Sequence, residues 1–368
     1  MRNGQALPRK FSRAFGPFRL WTLRRNPGQN PAHRAKLQKT ADLSARLVIF
    51  GGFLASAINE KIGMIKLNRR EFAAAGAALT LAAPAKGAPK PAAKLTAGQI
   101  LERMRGQIGV PWFERGVDRI IAGDPDTPVS GVATTMMATF DALKAATALN
   151  CNLVITHEPT FWSHPDNVEQ LQDDPLYKTK LAYMRAHNLV SFHFHDHWHA
   201  KKPVDGIHQG MADRMGWSRY LTTPYDRHIN LPPTTLSGLA KEFQRKLGDR
   251  TLRVVGDPDL PVKRIAVSWG NCSLLPGAPY LNSDCDALVI GEEQDWDLIA
   301  YAQDLVEAGR KKGLIVLGHV LSEQWGMEYA ATWLRGFVKE VPVKFVPLIE
   351  PYWNLKQPVF EINTKVLP

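Results

Sequence analysis

Three short segments of this 368-residue sequence concentrate imidazole and carboxylate side chains. They are Thr156-His157-Glu158-Pro159, the run HFHDHWH from His193 to His199, and GHVLSE, which carries His319 and Glu323. Nitrogen and oxygen donors of these kinds, without thiolate, are what a divalent metal such as Zn, Mn or Fe takes. Five of them, His157, Glu158, Asp196, His319 and Glu323, suffice for two ions. A carboxylate such as Asp196 could bridge the pair and leave positions open for water. Two ions ~3.5–4 Å apart clamp the attacking and leaving oxygens of a hydrolytic displacement. A shared water of lowered pKa then supplies hydroxide near neutral pH. The expected chemistry is metal-assisted hydrolysis, with Glu323 or Glu158 as a candidate base.

Each segment also has a plainer reading. His319 after a glycine turn could be a satisfied structural histidine, and His157 beside Pro159 could simply end a strand. Glu323 in the first turn of a helix gains from the helix dipole alone. Four histidines within seven residues are harder to explain without metal. Strand alternation sends His193 and His195 to one face and Phe194 and Asp196 to the other. That singles out Asp196 as the ligand, with neighbouring imidazoles orienting it. His199 is the best extra ligand candidate. His164, His187, His208 and His228 lack a comparable setting and read as surface or packing residues.

The elements that must position these groups alternate along the chain. Helical patterns cover Asp141 to Leu149, Leu176 to His187, Leu236 to Leu247 and Trp296 to Ala308. A later stripe comprises Met327, Ala330, Ala331, Leu334 and Val338. Between them lie strands at Leu153 to Thr156, Leu189 to Phe194, Leu252 to Val255, Arg264 to Ser268, Ala287 to Ile290 and Leu314 to Leu317. Continuous apolar strands between helices predict an α/β fold whose strands are buried on both faces. Each donor segment follows a strand, and sites in open α/β sheets form beyond strand carboxyl ends. If the three strands share a sheet, the segments converge on one crevice.

The composition is that of a globular protein, 45% hydrophobic and 22% charged. Its net charge of +11 would point to nucleic acid or an anionic membrane. However, 15 of the 46 basic and 3 of the 35 acidic residues lie in residues 1–85. The remaining 31 and 32 nearly cancel, so nothing in the balance of the later chain asks for nucleic acid. From Met64 the sequence reads MIKLNRREFAAAGAALTLAAPAKGA. Arg69-Arg70 with Phe72, a weakly apolar stretch from Ala73 to Ala83 and an Ala83-Pro84-Ala85 cleavage site predict a twin-arginine signal peptide over 64–85. The expected partner is the twin-arginine translocation machinery, and the expected location is periplasmic or secreted. A signal opening at Met64 makes residues 1–63 a start-site artefact or a long leader. The apolar run from Leu47 to Ile58 is too short to span a bilayer, so no membrane attachment is expected after signal removal. Residues 86–97 have the composition of a tether. Cys151, Cys272 and Cys285 form no metal-knuckle spacing. Cys151 reads as core, and Cys272 with Cys285 could pair in an oxidising compartment.

These segments resemble the Nif-three-like family of dinuclear-metal proteins, often labelled type 2 GTP cyclohydrolase I. GVATTMMATFDALKAATALNCNLVITHEPTFW (Gly131 to Trp162) is similar to the family's first helix–strand unit, which ends in T-H-H-P or T-H-E-P. Ala287 to Leu334 resembles its carboxyl-terminal signature, a G-E turn followed by G-H-x-x-S-E and a helix. Asp257 to Asn271 resembles the strand opening its second half. The resemblance implies metal ligation by His157, Glu158, Asp196, His319 and Glu323, with His193, His195 and His199 as extra ligands or orienting groups. It implies two similar α/β domains with the metal site at strand carboxyl ends in the cleft. One domain comprises 98–215 and 312–368, and the central one comprises 216–311. A ring-shaped homohexamer is also implied. Glu158 stands where many members have a second histidine, which favours Mn or Fe over Zn.

Three functions compete at this point. The first is an exported dinuclear-metal hydrolase acting on a phosphoester, amide or purine-ring-type substrate. Neither a P-loop nor a guanine-reading motif occurs, and a GTP pool is not expected outside the cytoplasm. The second is a metal-binding assembly or regulatory protein without catalysis. The third reads HFHDHWH as a metallo-β-lactamase-like H-x-H-x-D-H, which fits one residue short and leaves GHVLSE without a role.

Overall fold

The structure is a computed structural model that describes residues 95–223 and 225–352. The expected leader, the signal peptide and most of the tether lie outside the described residues. The tether expectation ends at Thr96, which caps helix α1 (Ala97–Gln107). The cap is reciprocal: Gln99 N donates to Thr96 Oγ1 at 3.3 Å and Thr96 N donates to Gln99 Oε1 at 3.0 Å. The helix buries Ala97, Ile100, Leu101 and Met104 on one face.

The first sheet has the strand order β1-β4-β3-β2-β10. Its members are β1 (Arg119–Ala122), β2 (Val132–Thr135), β3 (Leu153–Thr156), β4 (Val190–His193) and β10 (Val343–Phe345). β1 is antiparallel to β4, and the other four strands are parallel. Helices α2 (Phe140–Ala148) and α3 (Pro175–Ala186) make the crossovers, capped by Thr139 and Asp174. β2, β3 and β4 are buried at every position, as strands covered on both faces must be. Thr156 pairs with His193, so β3 and β4 end level and deliver their next residues side by side.

The second sheet runs β5-β7-β8-β9-β6. It contains β5 (His228–Thr235), β6 (Arg253–Val255), β7 (Pro261–Asn271), β8 (Ala287–Glu292) and β9 (Gly313–Val316). The three central strands are parallel and both edges antiparallel. α6 (Leu236–Leu247) buries Leu236, Leu239, Ala240, Phe243 and Leu247, one face of a 3.6-residue period, and stops at left-handed Gly248. α7 (Leu274–Asn282) follows β7. Two expectations change here. The helix expected from Trp296 starts as a π-helical turn at Asp295–Ile299, kinked at Asp297, and continues as α8 (Ala300–Glu307). β9 pairs with β8 and β6, so the central region runs past 311 to include it, and the three donor-bearing strands do not share a sheet.

Three helices join the two sheets: α4 (Asp196–Ala200), α5 (Gly206–Met215) and α9 (His319–Arg335). α5 and α9 cross at a pair of glycines. A Cβ on Gly210 would meet Gly326 Cα at 2.5 Å, and one on Gly326 would meet Ile207 Cα at 2.6 Å. α9 is tied to the second sheet through Ser322 Oγ, which accepts from Gly270 N at 3.0 Å. It is tied to the first by Thr134 Oγ1, which donates to Met327 O at 2.6 Å, and by Arg335 Nε, which donates to Val343 O at 3.0 Å. One apolar core therefore runs through both sheets, from Ile155 and Phe192 by way of Met211 and Met327 to Val267 and Val289. Cys151, Cys272 and Cys285 are buried free thiols. The Cys272–Cys285 pairing is not formed: Cys285 Sγ donates instead to Tyr280 O at 3.0 Å. No helix among the described residues is long and apolar enough to cross a membrane.

Candidate metal centre

The centre is built from two strand ends and two helix starts. Beyond β3, the backbone N–H groups of His157 and Glu158 donate to Met136 O at 3.0 and 2.6 Å, which turns both side chains into the cleft. Beyond β4 the chain does not continue extended. Asp118 Oδ1 accepts from the backbone N–H of His195 and Asp196 at 2.8 Å each, and Oδ2 accepts from His197 N at 2.9 Å. One carboxylate thus takes up the free donors that open α4, as a helix N-terminus requires. His195 and His199 then stand four residues apart on one helical face. At the third position Gly318, with φ +83°, turns β9 into α9, and His319 and Glu323 share a face by the same i,i+4 spacing. Gly270, at φ +71°, leaves room for Glu323, whose Oε1 lies 2.5 Å from where a Cβ would stand.

Four imidazoles converge on two carboxylates. His157 Nε2 is 3.4 Å from Glu323 Oε2, and His199 Nε2 is 4.0 Å from Glu323 Oε1. His195 Nε2 is 3.8 Å from Glu158 Oε1. His319 Nε2 reaches both, 3.4 Å from Glu158 Oε1 and 3.0 Å from Glu323 Oε2. In each ring the other nitrogen has its own acceptor. His157 Nδ1 meets Phe194 O at 3.3 Å, His195 Nδ1 meets Asp196 Oδ1 at 2.8 Å, His199 Nδ1 meets Asp205 Oδ2 at 3.0 Å, and His319 Nδ1 meets Glu292 Oε1 at 2.9 Å. Such outer acceptors fix the tautomer and aim the inner nitrogen, as they do for metal-ligating histidines.

The electrostatics are those of a cation-seeking pocket. Burial opposes ionisation of Glu158, but hydrogen bonds from His164 and His319 and the charge of His157 hold it well below the usual carboxylate range. Glu323 is held low in the same way, against its burial, by His157 and His319. Burial works against a charged His319 too, yet Glu158, Glu292 and Glu323 push it up to about 12. His195 moves oppositely, down to about 4, through burial and the neighbouring His157 and His199.

Of the sequence-selected ligands, His157, Glu158, His319 and Glu323 come together. Asp196 does not join them. Its Oδ2 accepts from Val117 N at 2.9 Å and its Oδ1 holds His195, so the expected roles of aspartate and imidazole are exchanged. The cause is the end of β4 at His193, beyond which strand alternation no longer applies. His197 lies buried between Trp112 and Phe113, with ring centroids 3.6 and 3.7 Å away, and is a packing residue. His193 is buried outside this set, its ring centroid 6.3 Å from that of His195 and its Nδ1 3.2 Å from Asp166 Oδ2. His164, read as a surface residue, instead places Nδ1 3.2 Å from Glu158 Oε2. His208 packs under Trp269, His187 lies against Tyr183 and His228 beside Tyr280, as expected. Asp118, Asp205 and Glu292 were not legible as orienting groups, although Glu292 falls in the G-E turn.

The residues present fit a metal. One atom each from His157, His195 and His199, and one each from His157, Glu158 and Glu323, lie within 4.8 Å of one another. His157 Nε2 is fully buried and has no hydrogen-bond partner, a cost that a cation at the centre would remove. All the donors are nitrogen or oxygen, and none of the three cysteines takes part.

A model of the family Duf34/NIF3 (NGG1p interacting factor 3) matches residues 112–351. A GTP cyclohydrolase 1 type 2 homolog of Clostridium acetobutylicum is 23% identical over 163 residues, 41% of this chain. That match spans 59% of the relative's own length. Among solved structures, a Staphylococcus aureus hypothetical protein superposes with a TM-score of 0.56 at 17% identity, over 71% of this chain and 100% of that one. A Bacillus cereus protein related to NIF3 gives a TM-score of 0.56 at 14% identity, covering 71% and 99%. These likenesses establish the fold, a mixed α/β architecture with two sheets.

Proposed function

The chain belongs to the Duf34/NIF3 family, and from that premise we propose that it is an exported metal-dependent hydrolase with two divalent cations in its cleft. The observation that carries the reading is the arrangement of His157, His195, His199 and His319. Each presents Nε2 to the Glu158–Glu323 pair while a separate acceptor holds its Nδ1. Mn, Fe or Zn suits this nitrogen and oxygen donor set. Bound there, a divalent pair supplies Lewis acidity and a nucleophilic hydroxide at neutral pH. The protein's own contribution is to hold four imidazoles by their Nδ1 atoms, to keep two buried carboxylates ionised, and to leave room for Glu323 at Gly270, where the backbone approaches closely.

The substrate class is a phosphoester, an amide or a purine-type ring, the last drawn from the name of the Clostridium relative. The twin-arginine route and a homohexamer belong to the same proposal; they rest on the Met64 motif and on the family resemblance. The convergence of His319 and Glu323 with His157 and Glu158 counts against the metallo-β-lactamase-like reading, which gives GHVLSE no part. The test is elemental analysis of purified protein, followed by turnover of a nucleotide, phosphoester, peptide and lactam panel. Two bound metals with no turnover on any of them would overturn the hydrolase reading in favour of a non-catalytic metal protein. Absence of metal would overturn both.

A further inference from the structure

Next to the central donors, the geometry points to a third cation position formed by Glu158, His164 and His193. One carboxylate oxygen of Glu158 and one ring nitrogen of each imidazole lie within 4.8 Å of one another. Small side-chain movements would close that spread to the ~2.0–2.2 Å bonds of a nitrogen- and oxygen-ligated ion.

His193 supplies the independent observation. Its side chain is 0% exposed and neither ring nitrogen has a hydrogen-bond partner. Asp166 Oδ2 lies 3.2 Å from Nδ1 without the alignment of a hydrogen bond, so neither ring nitrogen is tied up. A buried nitrogen left without a partner carries an unpaid desolvation cost, and a bound cation offsets it.

Glu158 explains how the position can coexist with the central pair. Its two oxygens face different groups. Oε1 lies 3.4 Å from His319 Nε2 and 3.8 Å from His195 Nε2, whereas Oε2 lies 3.2 Å from His164 Nδ1. A carboxylate divided in this way bridges two cation positions. The His164 side chain is 49% exposed, so the outer position opens to solvent and keeps a site for water. With three protein ligands, one of them exposed, it binds more weakly and exchanges faster than the centre. Two imidazoles and one carboxylate favour Zn, Ni, Co or Cu over Mg or Ca.

This inference rests on Glu158 being a metal ligand, not on any reaction. The test titrates the metal-free full chain with zinc alone, and counts equivalents by elemental analysis and chelator competition. Wild type is expected to take up three, the third most weakly. His164→Ala, a surface change that spares the fold, and His193→Gln should each lose only that weakest equivalent. His319→Ala should weaken the tight sites and leave the weak one. Wild type saturating at two equivalents, or His164→Ala retaining three, overturns the third position while the two-metal centre stands. Should His193→Gln fail to fold, His164→Ala decides alone. No uptake at all overturns both readings.

Discussion

His319 Nδ1 and Glu292 Oε1 meet at 2.9 Å, so the first residue of α9 is aimed by the last residue of β8. The contact leaves His319 Nε2 facing Glu158 and Glu323 together. Glu292 is half exposed, so replacing it should spare the fold. Glu292→Gln keeps the size but removes the charge that orients the ring, and loss of such an outer partner typically weakens metal affinity about 10–100-fold. Chelator competition on the variant checks this; an unchanged affinity would remove Glu292 from the site.

Asp196 and His199 separate the sequence expectation from the geometry. His199→Ala should lower bound metal, since its Nε2 points at Glu323. Asp196→Asn should keep the full metal content and show only weaker affinity, because Asp196 acts through His195. Elemental analysis of the two variants after extensive dialysis gives the comparison. The reverse ranking would restore Asp196 as a ligand.

Metal uptake should stabilise the fold by mass action, by about 2.7 kcal/mol at a free concentration 100-fold above Kd. Differential scanning fluorimetry with and without a chelator should show a fall in Tm on metal removal. His157→Ala should abolish the difference. A chelator-insensitive Tm in wild type would argue against a site that is filled in the folded state.

Gly326 faces Ile207 Cα at a distance that no Cβ tolerates. Gly326→Ala must therefore push α5 away from α9, and overpacking of this kind costs about 1–3 kcal/mol. Urea denaturation provides the measurement. A variant as stable as wild type would mean that the two helices can part without cost.

His208 gives a pH dependence with a definite sign. Burial, then the Arg227 charge, pulls its pKa down to about 4, and Trp269 Nε1 donates to its Nδ1 at 3.1 Å. The unfolded chain protonates this imidazole near the ordinary value of ~6.5. Between about pH 6.5 and 4 the unfolded state therefore binds a proton that the folded state refuses, and stability falls as the pH falls. By pH 5 the loss is on the order of 2 kcal/mol. His208→Gln keeps an acceptor for Trp269 and should flatten the slope. Parallel wild-type and variant profiles from pH 7 to 5 would show that other groups set it.

The parts of the centre legible in the sequence are those fixed by local chain direction. His157 and Glu158 directly follow a strand buried at all four positions, and His319 and Glu323 open a helix after a glycine turn. What escaped is set by distant residues. Asp118 takes the backbone donors of residues 77, 78 and 79 positions away, and so decides that the chain after His193 coils rather than extends. Asp205 and Glu292 act only through the rings they hold. α5 carries Gly206 and Gly210 and little amphipathic pattern, because its place is fixed by contact with α9. The assumption of a shared sheet failed for a related reason: strands similar in pattern can pair in either sheet, and β9 pairs beside β8.

The attachment of α9 to both sheets makes the cluster a caliper. Its jaws are the ends of β3 and β4 on one side and the start of α9, seated on β7 and β8, on the other. Slippage of about 1 Å between the sheets would pull His319 and Glu323 off His157 and Glu158, a misplacement large enough to break a set of metal-ligand distances. A spectroscopically active ion such as Co(II) held there would therefore report the spacing of the two sheets as well as the identity of its ligands.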